Sequence, residues 1–510
     1  MNRGVTKAAS QGAIAALASL LLSTGSAQSA DLGGNCCADL EERVAELEAT
    51  SVRKGNRRVS LTLSGQVNRS LMYWNDGFQD DVYSVDNAIS NSRFRLTGSG
   101  KISADLTAGF YMEFSMAFGA RSQQVSQIDD DGFSGSGGIL GGAILGDGIG
   151  GAGDSVLDFN QAYWYVDSKH WGRLSVGRLS ASTAGIGIID LSNTGVVANS
   201  QPFLWGGGMM MRSGAGSLAA LSSGVATLTW GQMCGGPGSS AVLGVFTGAA
   251  GPYSTDCGIH ALDRRDAVMY QTPTWHGFTF GGTFGEDDFW DVAGRYAGEW
   301  HGFRIAAGLG YRWYDDREPD VLVVGPPGRR LDDTHRQHWL TSASLMHIAT
   351  GLFVSGAWTQ YMYEGFNPHE IFDLNPNRNR PDTNLWWVDA GIEKNWLGIG
   401  LTTFYGEYGR VDDGITGLVA LPGGTGQLVL SGLGPLGARG VVADSEMTWW
   451  GVGAVQKIDA AAMDVYLAFR HYSADVVMGN SSVPAVGSAI QIPGGLEDIW
   501  YIQGGARIQF

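Results

Sequence analysis

From residue 59 to the end of the chain, apolar and polar positions alternate with period two in one segment after another. In 59–74, Val59, Leu61, Leu63, Val67 and Leu71 fall on one face and Ser60, Thr62, Ser64, Gln66 and Asn68 on the other. Successive side chains of a strand point to opposite sides, so this spacing predicts strands with two unlike faces. The same reading sets Phe94, Leu96 and Ile102 against Arg93, Arg95, Thr97 and Lys101. It sets Phe303, Ile305, Ala307, Leu309, Tyr311 and Trp313 against Arg304, Gly308 and Arg312, and Met463, Val465, Leu467 and Phe469 against Asp464, Tyr466 and Arg470. Strands are expected at 59–74, 89–102, 103–117, 158–167, 171–179, 266–273, 277–285, 291–301, 302–314, 338–348, 350–363, 384–394, 397–410, 445–457, 460–474 and 496–510. The last runs to an aromatic terminus, with Trp500, Ile502, Gly504, Ala506, Ile508 and Phe510 on one face and Tyr501, Gln503, Gly505, Arg507 and Gln509 on the other. About sixteen strands, an even number with apolar faces, predict an all-β fold: a transmembrane antiparallel β-barrel.

The connections sort by length. Tight turns recur as His170-Trp171-Gly172, Trp275-His276-Gly277, Trp300-His301-Gly302 and Trp396-Leu397-Gly398. A Trp beside a Gly turn suits a periplasmic rim at the lipid headgroups. The alternate connections, near 75–88, 118–157, 315–337, 364–383, 411–444 and 475–495, are long and polar or Gly-rich and are expected outside. A soluble sandwich has no reason to sort its loops in this way.

Composition agrees. The 510 residues hold 78 Gly, 17 Trp and 17 Tyr but only 33 Lys and Arg, as many-stranded sheets with aromatic belts require. At the N-terminus, Arg3 and Lys7 precede an apolar run over 13–22 and small residues up to Ala30, the pattern of a secretory signal peptide over 1–30 cleaved at either Ala27 or Ala30. The run is too short to span a bilayer as a helix. A formal charge of −17, about −19 once that segment is removed, excludes nucleic acid as a partner class. In an oxidising compartment Cys234 and Cys257 are spaced to close a loop disulfide, while adjacent Cys36 and Cys37 lie near the mature N-terminus.

Residues 31–58 form a separate short module before the barrel of 59–510. Leu40, Val44 and Leu47 recur at i, i+4, i+7 among acidic residues, predicting an amphipathic helix or a very short coiled coil, followed by the basic linker 53–58. It serves either as a helix tucked against the barrel mouth or as a trimer stalk, with attachment to the cell wall as a further use.

No enzyme motif survives inspection. Gly148-Ile-Gly150-Gly-Ala-Gly153 is not framed by a strand and a helix, His369-Glu370 lacks a second His, and Asp129-Asp-Asp-Gly132 lacks the spacing of a calcium loop. The sequence implies no catalysis, no cofactor and no metal. Function is sought instead in the longest interval between strands, 180–265, which either folds into the lumen or stays on the surface. Its segment 184–195 carries one carboxylate, Asp190. Arg93, Arg95, Arg304, Arg312 and Arg470 lie on polar faces, as does Arg173. Arginines gathered opposite a carboxylate-bearing loop would set a transverse field that favours polar solutes. The alternative is local pairing of each arginine with an inward acid such as Glu113, Asp389 or Glu393.

The block Asp39-Leu-Glu-Glu-Arg-Val-Ala-Glu-Leu-Glu-Ala-Thr50, with Arg53-Lys-Gly-Asn-Arg-Arg-Val-Ser-Leu-Thr-Leu-Ser-Gly-Gln-Val-Asn68, resembles the start of rhizobial-type alphaproteobacterial general porins. Asn91-Ser-Arg-Phe-Arg-Leu-Thr-Gly98, Trp171-Gly-Arg-Leu-Ser-Val-Gly-Arg178 and Asp190-Leu-Ser-Asn-Thr-Gly-Val-Val-Ala-Asn199 are similar to the same family. The resemblance spans nearly the whole mature chain and is weaker in the outer loops. It implies a homotrimer of sixteen-stranded barrels among outer-membrane lipid and lipopolysaccharide, passing ions and small hydrophilic solutes by passive diffusion. It also implies that 180–265 is the constriction loop, with Asp190 facing a wall that includes Arg93 and Arg95. Phe510 would be the mark read by the outer-membrane assembly machinery. The loop's few acids argue against strong cation selectivity. Two other functions stay open: a substrate-specific channel for sugars or oligoanions, for which Tyr111, Tyr466 and Tyr501 would supply an inward aromatic track, and a structural anchor or adhesin.

Overall fold

The computed structural model describes residues 59–116, 121–123, 125, 127, 157–214, 216, 229–234, 264–286, 288–315, 335–364, 381–416, 419–420, 440–480 and 495–510. Eighteen extended segments form one sheet: β1 (Ser60–Asn75), β2 (Asp80–Asp86), β3 (Arg93–Lys101), β4 (Leu106–Met116), β5 (Leu157–Ser168), β6 (Gly172–Ser180), β7 (Arg264–Gln271), β8 (Phe278–Gly285), β9 (Trp290–Trp300), β10 (Phe303–Asp315), β11 (His335–His347), β12 (Leu352–Glu364), β13 (Thr383–Lys394), β14 (Thr402–Asp412), β15 (Val419–Ala420), β16 (Gly440–Ile458), β17 (Met463–Asn480) and β18 (Ile499–Gln509). β2 and β3 pair with successive stretches of β1 and are one wall strand broken at 87–92, and β15 is a two-residue outer extension on β16. The result is a closed antiparallel barrel of sixteen strands.

Closure is made by β18 on β1, in register from Gln66 opposite Gln509 to Asn75 opposite Trp500. A closed sheet leaves no unpaired edge, the condition for putting strands in hydrocarbon. Its outer face carries exposed Leu63, Val67, Leu71, Trp164, Phe280, Leu309, Trp358, Phe404 and Trp450. The neighbouring positions turn inward and are buried, as with Gln66, Asn68, Ser70, Arg312 and Arg470. Among the described residues no helix is long and apolar enough to cross a membrane, and the strands do the crossing.

The short turns sit where the Trp-Gly pattern predicted them. His276 and Gly277 have φ of 48° and 87°, and His301 and Gly302 have 49° and 81°. Two successive positive φ values make the tight turn whose twist matches the flanking strands. At Gly277 a β-carbon would stand 2.5 Å from the carbonyl oxygen of Ala297, so the position admits no side chain. Trp171, Trp275, Trp300 and Trp396 are exposed around this rim.

Several boundaries differ from expectation. The connection near 75–88 contains β2, β16 begins at Gly440 and β17 extends to Asn480, so two outer loops are shorter than the alternation suggested. β14 starts at Thr402, five residues later than expected, because 395–401 form the turn. The expected helix in 31–58 and the signal peptide over 1–30 lie outside the described residues.

The larger surprise is inside. Met72, Trp74, Tyr83 and Val85 from β1 and β2, Leu385 and Trp387 from β13, Met447 and Trp449 from β16, and Tyr472 and Tyr501 from β17 and β18 face inward and form one apolar cluster. They pack against Val196, Val197, Trp205, Met209, Met211, Trp230 and Met233 of the connection between β6 and β7. Part of the barrel therefore has apolar residues on both faces, and the interior on that side is a hydrophobic core.

Candidate functional site

The β6–β7 connection enters the barrel and runs around its inner wall. It starts at Thr183, whose N–H and hydroxyl both donate to Asp291 Oδ2 on β9, at 2.8 and 2.5 Å. Arg312 on β10, fully buried, donates to the Thr183 hydroxyl. Gly308 and Gly310 on β10 leave room for Ile186: a β-carbon at Gly310 would stand 2.8 Å from its Cδ1. Further on, Leu191 N donates to Ser344 Oγ on β11 at 3.0 Å, and Asn193 N and Nδ2 donate to Glu393 on β13 at 3.0 and 2.6 Å.

Asp190 closes a turn in this run. Its carboxylate accepts from Ser192 N at 2.8 Å, Thr194 Oγ1 at 2.9 Å, Gly195 N at 3.2 Å and Ser355 Oγ of β12 at 3.3 Å. Thr194 Oγ1 also lies 3.1 Å from Asp389 Oδ2 on β13. The loop's carboxylate thus has its hydrogen-bonding capacity filled by its own turn and the adjacent wall.

Beyond this turn, Arg470 on β17 makes two parallel bonds to Glu407 on β14, both at 2.8 Å, with side-chain exposures of 0 and 1%. Its guanidinium lies 5.0 Å from the Trp205 ring centroid. Tyr472 donates to Pro202 O at 2.7 Å, and Asn87, in the break between β2 and β3, donates to Val196 O at 2.9 Å. Arg212 then pairs with Asp76, just past the end of β1, at 2.8 Å. The loop is fastened in turn to β8–β13, β17 and the outer end of β1.

On the remaining side its described hydrogen bonds run to the β4–β5 connection, Leu204 O accepting from Ser122 Oγ at 2.6 Å and Met210 O from Gln127 Nε2 at 2.8 Å, and the inner faces of β3–β7 look toward the lumen. Here Glu113 on β4 is surrounded by Arg95 at 2.7 Å, Arg264 at 3.5 Å and Arg93 at 3.8 Å. The three guanidiniums keep 34, 19 and 14% exposure against 2% for the carboxylate, so what the lumen meets is positive. Tyr111 donates to Glu113 Oε2 at 3.0 Å. In ring order β12, which carries Ser355, is almost opposite β3, so Asp190 and the Arg93–Arg95 pair occupy different sides of the barrel.

The arginines singled out from sequence therefore divide. Arg93 and Arg95 come together, joined by Arg264, which the alternation missed because it opens β7 beside a second arginine. Arg312 and Arg470 are buried behind the loop and fasten it. Arg304 pairs with Glu299 at 3.0 Å near the His301-Gly302 turn, and Arg173 lies 3.4 Å from Asp167 near another turn. Tyr466 and Tyr501, at 1 and 0% exposure, are packed behind the loop, whereas Tyr111 stays on the open wall. Of the local pairings that the residues suggested, Glu113 is an ion-pair partner, while Asp389 and Glu393 bind loop hydroxyl and amide groups. Cys234 is disulfide-bonded and buried; Cys257 lies outside the described residues.

A closed, lipid-faced barrel with one loop folded inside and a polar wall left open defines a membrane channel. The model of the Gram-negative porin family matches residues 13–476. Among solved structures, the chain is similar to the anion-selective porin from Comamonas acidovorans, at 15% identity over 89% of this chain and all of that one, with a TM-score of 0.46. It is similar to OmpF of Salmonella typhi in complex with daunomycin, at 12% identity over 90 and 99% and a TM-score of 0.43, and to Pseudomonas putida OprB, at 10% over 96 and 100% and 0.45. No curated protein sequence matches. The chain belongs to the Gram-negative porin family and is an outer-membrane diffusion channel. The match reaches this family and does not resolve the rhizobial subgroup.

Proposed function

We propose that the channel passes small hydrophilic solutes without catalysis and prefers anions, through a lumen narrowed by the 180–265 loop. The observation that carries the preference is Arg93, Arg95 and Arg264 gathered around one buried Glu113 on the open wall. Two acids on the opposite side are withdrawn, since Asp389 is 1% exposed and Glu407 is bound by Arg470. Guanidinium groups keep their charge at any working pH. In 0.1 M salt the Debye length is about 10 Å, comparable with the reach across a narrowed pore.

A homotrimer is part of this reading. Arg69 stands in the outward row of β1 between exposed Val67 and Leu71, donating to Ser84. An arginine on a lipid face costs roughly 2–4 kcal/mol at the bilayer midplane. Covering that face with a second copy of the chain removes the cost. Liposome swelling tests the whole proposal: rates should fall smoothly with solute size and favour anions over cations of equal size. Swelling indifferent to charge would remove the preference, and no swelling would remove the open channel.

A further inference from the structure

Below the arginine cluster, the open wall carries a feature that passive sieving does not need. Tyr111 on β4 and Tyr163 on β5 stand opposite each other in register, with ring centroids 5.2 Å apart and planes 24° from parallel. Tyr165 follows on the same inward face, 6.5 Å from Tyr163, and the Arg173 guanidinium on β6 lies 4.4 Å from the Tyr165 ring centroid. Ser175, which Tyr165 faces in register, is fully buried, while Trp164 between the two tyrosines is 50% exposed on the outer side. The alternation therefore turns all three tyrosines inward.

Glycines shape this surface. A β-carbon at Gly109, the register partner of Tyr165, would stand 2.5 Å from the Tyr165 ring, so the ring tip lies over bare backbone. Gly177 faces Tyr163 on the other side, and a β-carbon there would stand 2.8 Å from Tyr163 Cα, so no side chain from β6 is set against that residue at this level. Inward positions recur every second residue, about 6–7 Å apart along a strand. The levels of Glu113, Tyr111, Tyr165 and Asp167 thus span roughly 20 Å along the strands, or about 15 Å along the channel once the strand tilt is taken in. Arginines stand at both ends, Arg93, Arg95 and Arg264 at one and Arg173 at the other.

We propose that this strip is a binding track for an anion carried on a flat ring, an aromatic carboxylate being the simplest member. The guanidinium group presents parallel N–H donors that match a carboxylate. Beside it, the tyrosine faces offer a ring an offset-stacking surface within a few ångströms. One part of such a solute meets Arg95 or Arg264 while the other meets Tyr111 and Tyr163. Arg173, itself paired with Asp167 at 3.4 Å, offers a second and weaker cationic contact at the far end. The outer arginines of the cluster already share Glu113, which weakens their hold on any passing anion and keeps binding short-lived.

The inference rests on the anion preference proposed above, and its test separates the two. Single-channel current in a planar bilayer is measured with rising benzoate, acetate, cyclohexanecarboxylate or benzyl alcohol. Benzoate is expected to interrupt the chloride current at a concentration roughly threefold to tenfold below acetate or cyclohexanecarboxylate, the range that ring stacking allows. Benzyl alcohol, which lacks the charge, should be the weakest. Tyr163→Ala and Tyr165→Ala should bring benzoate to the acetate level. Tyr163→Phe should keep the benzoate effect, which marks the ring face rather than the hydroxyl as the cause. Benzoate acting no more strongly than acetate on the wild-type channel would overturn the track and leave the anion preference standing. A wild-type channel that prefers potassium would overturn the preference itself, and with it the reason for an anion to enter the strip.

Discussion

Gly65 and Phe510 exchange both of their backbone hydrogen bonds, Gly65 N to Phe510 O at 2.8 Å and Phe510 N to Gly65 O at 3.0 Å. The last residue of the chain is thereby the final rung of the barrel's closure. Its ring occupies the space that Gly65 leaves, since a β-carbon there would stand 2.6 Å from Phe510 Cζ and 2.7 Å from Arg93 O. Deleting Phe510 removes two bonds worth about 1 kcal/mol each and the packing of the ring. The expected outcome is a lower yield of folded, heat-modifiable barrel on gels, with unchanged conductance in the channels that do assemble. Normal yield would show that the terminus is dispensable. Gly65→Val should also lower the yield, because the Arg93 backbone cannot move aside without disturbing β3.

The Arg470–Glu407 pair governs how firmly the loop is held. Both side chains are withdrawn from solvent, so removing one leaves a buried charge without its partner, at a cost of about 3–5 kcal/mol. Arg470→Met should lower the midpoint of chemical unfolding and make single-channel current noisier as the loop around Trp205 loosens. Arg470→Met combined with Glu407→Gln should recover much of the stability. A double variant no better than Arg470→Met alone would mean that the charge pair is not what matters.

Selectivity should respond unequally to the charges on the two sides. Arg95→Ala and Arg264→Ala remove groups that the lumen meets and should each lower the anion preference measurably. Asp190→Asn replaces a carboxylate that is already bound by Ser192, Thr194, Gly195 and Ser355. Its main effect should be on loop stability, with a smaller change in permeability ratio. Equal changes in all three variants would place Asp190 on the constriction together with the arginines. The preference should also fade in 1 M salt, where the Debye length shrinks to about 3 Å.

The disulfide at Cys234 has a direct check. Non-reducing peptide mapping is expected to recover Cys234 joined to Cys257, as their spacing suggests, and Cys257→Ser should then release a free thiol at Cys234. Recovery of Cys234 joined to Cys36 or Cys37 would instead tie the loop to the N-terminal module.

Much of the barrel was legible because lipid and water enforce an alternation that survives in the sequence, as in Phe303 to Trp313 and Met463 to Arg470. The break at 87–92 was not, since its residues Asn87 and Ser90 are fixed by distant groups such as Val196 and Gln66. The internal core was also missed. Its trace was present in runs such as Leu71-Met72-Tyr73-Trp74, Trp386-Trp387-Val388 and Trp449-Trp450, where both faces are apolar and the inner one needs a partner. For the arginines, direction could be read and level could not. Alternation turns Arg93, Arg304 and Arg470 inward alike, but one lines the lumen, one sits by a turn and one is buried under the loop.

The most direct test is the reversal potential of the wild-type channel in a planar bilayer separating 0.1 M from 1 M potassium chloride. The whole chain carries a formal charge of −17, whereas the open wall is positive, so the sign of the potential decides which one ions obey. Chloride permeating faster than potassium is the result predicted by Arg93, Arg95 and Arg264 on that wall. A potential of the opposite sign, with potassium the faster ion, would contradict the account.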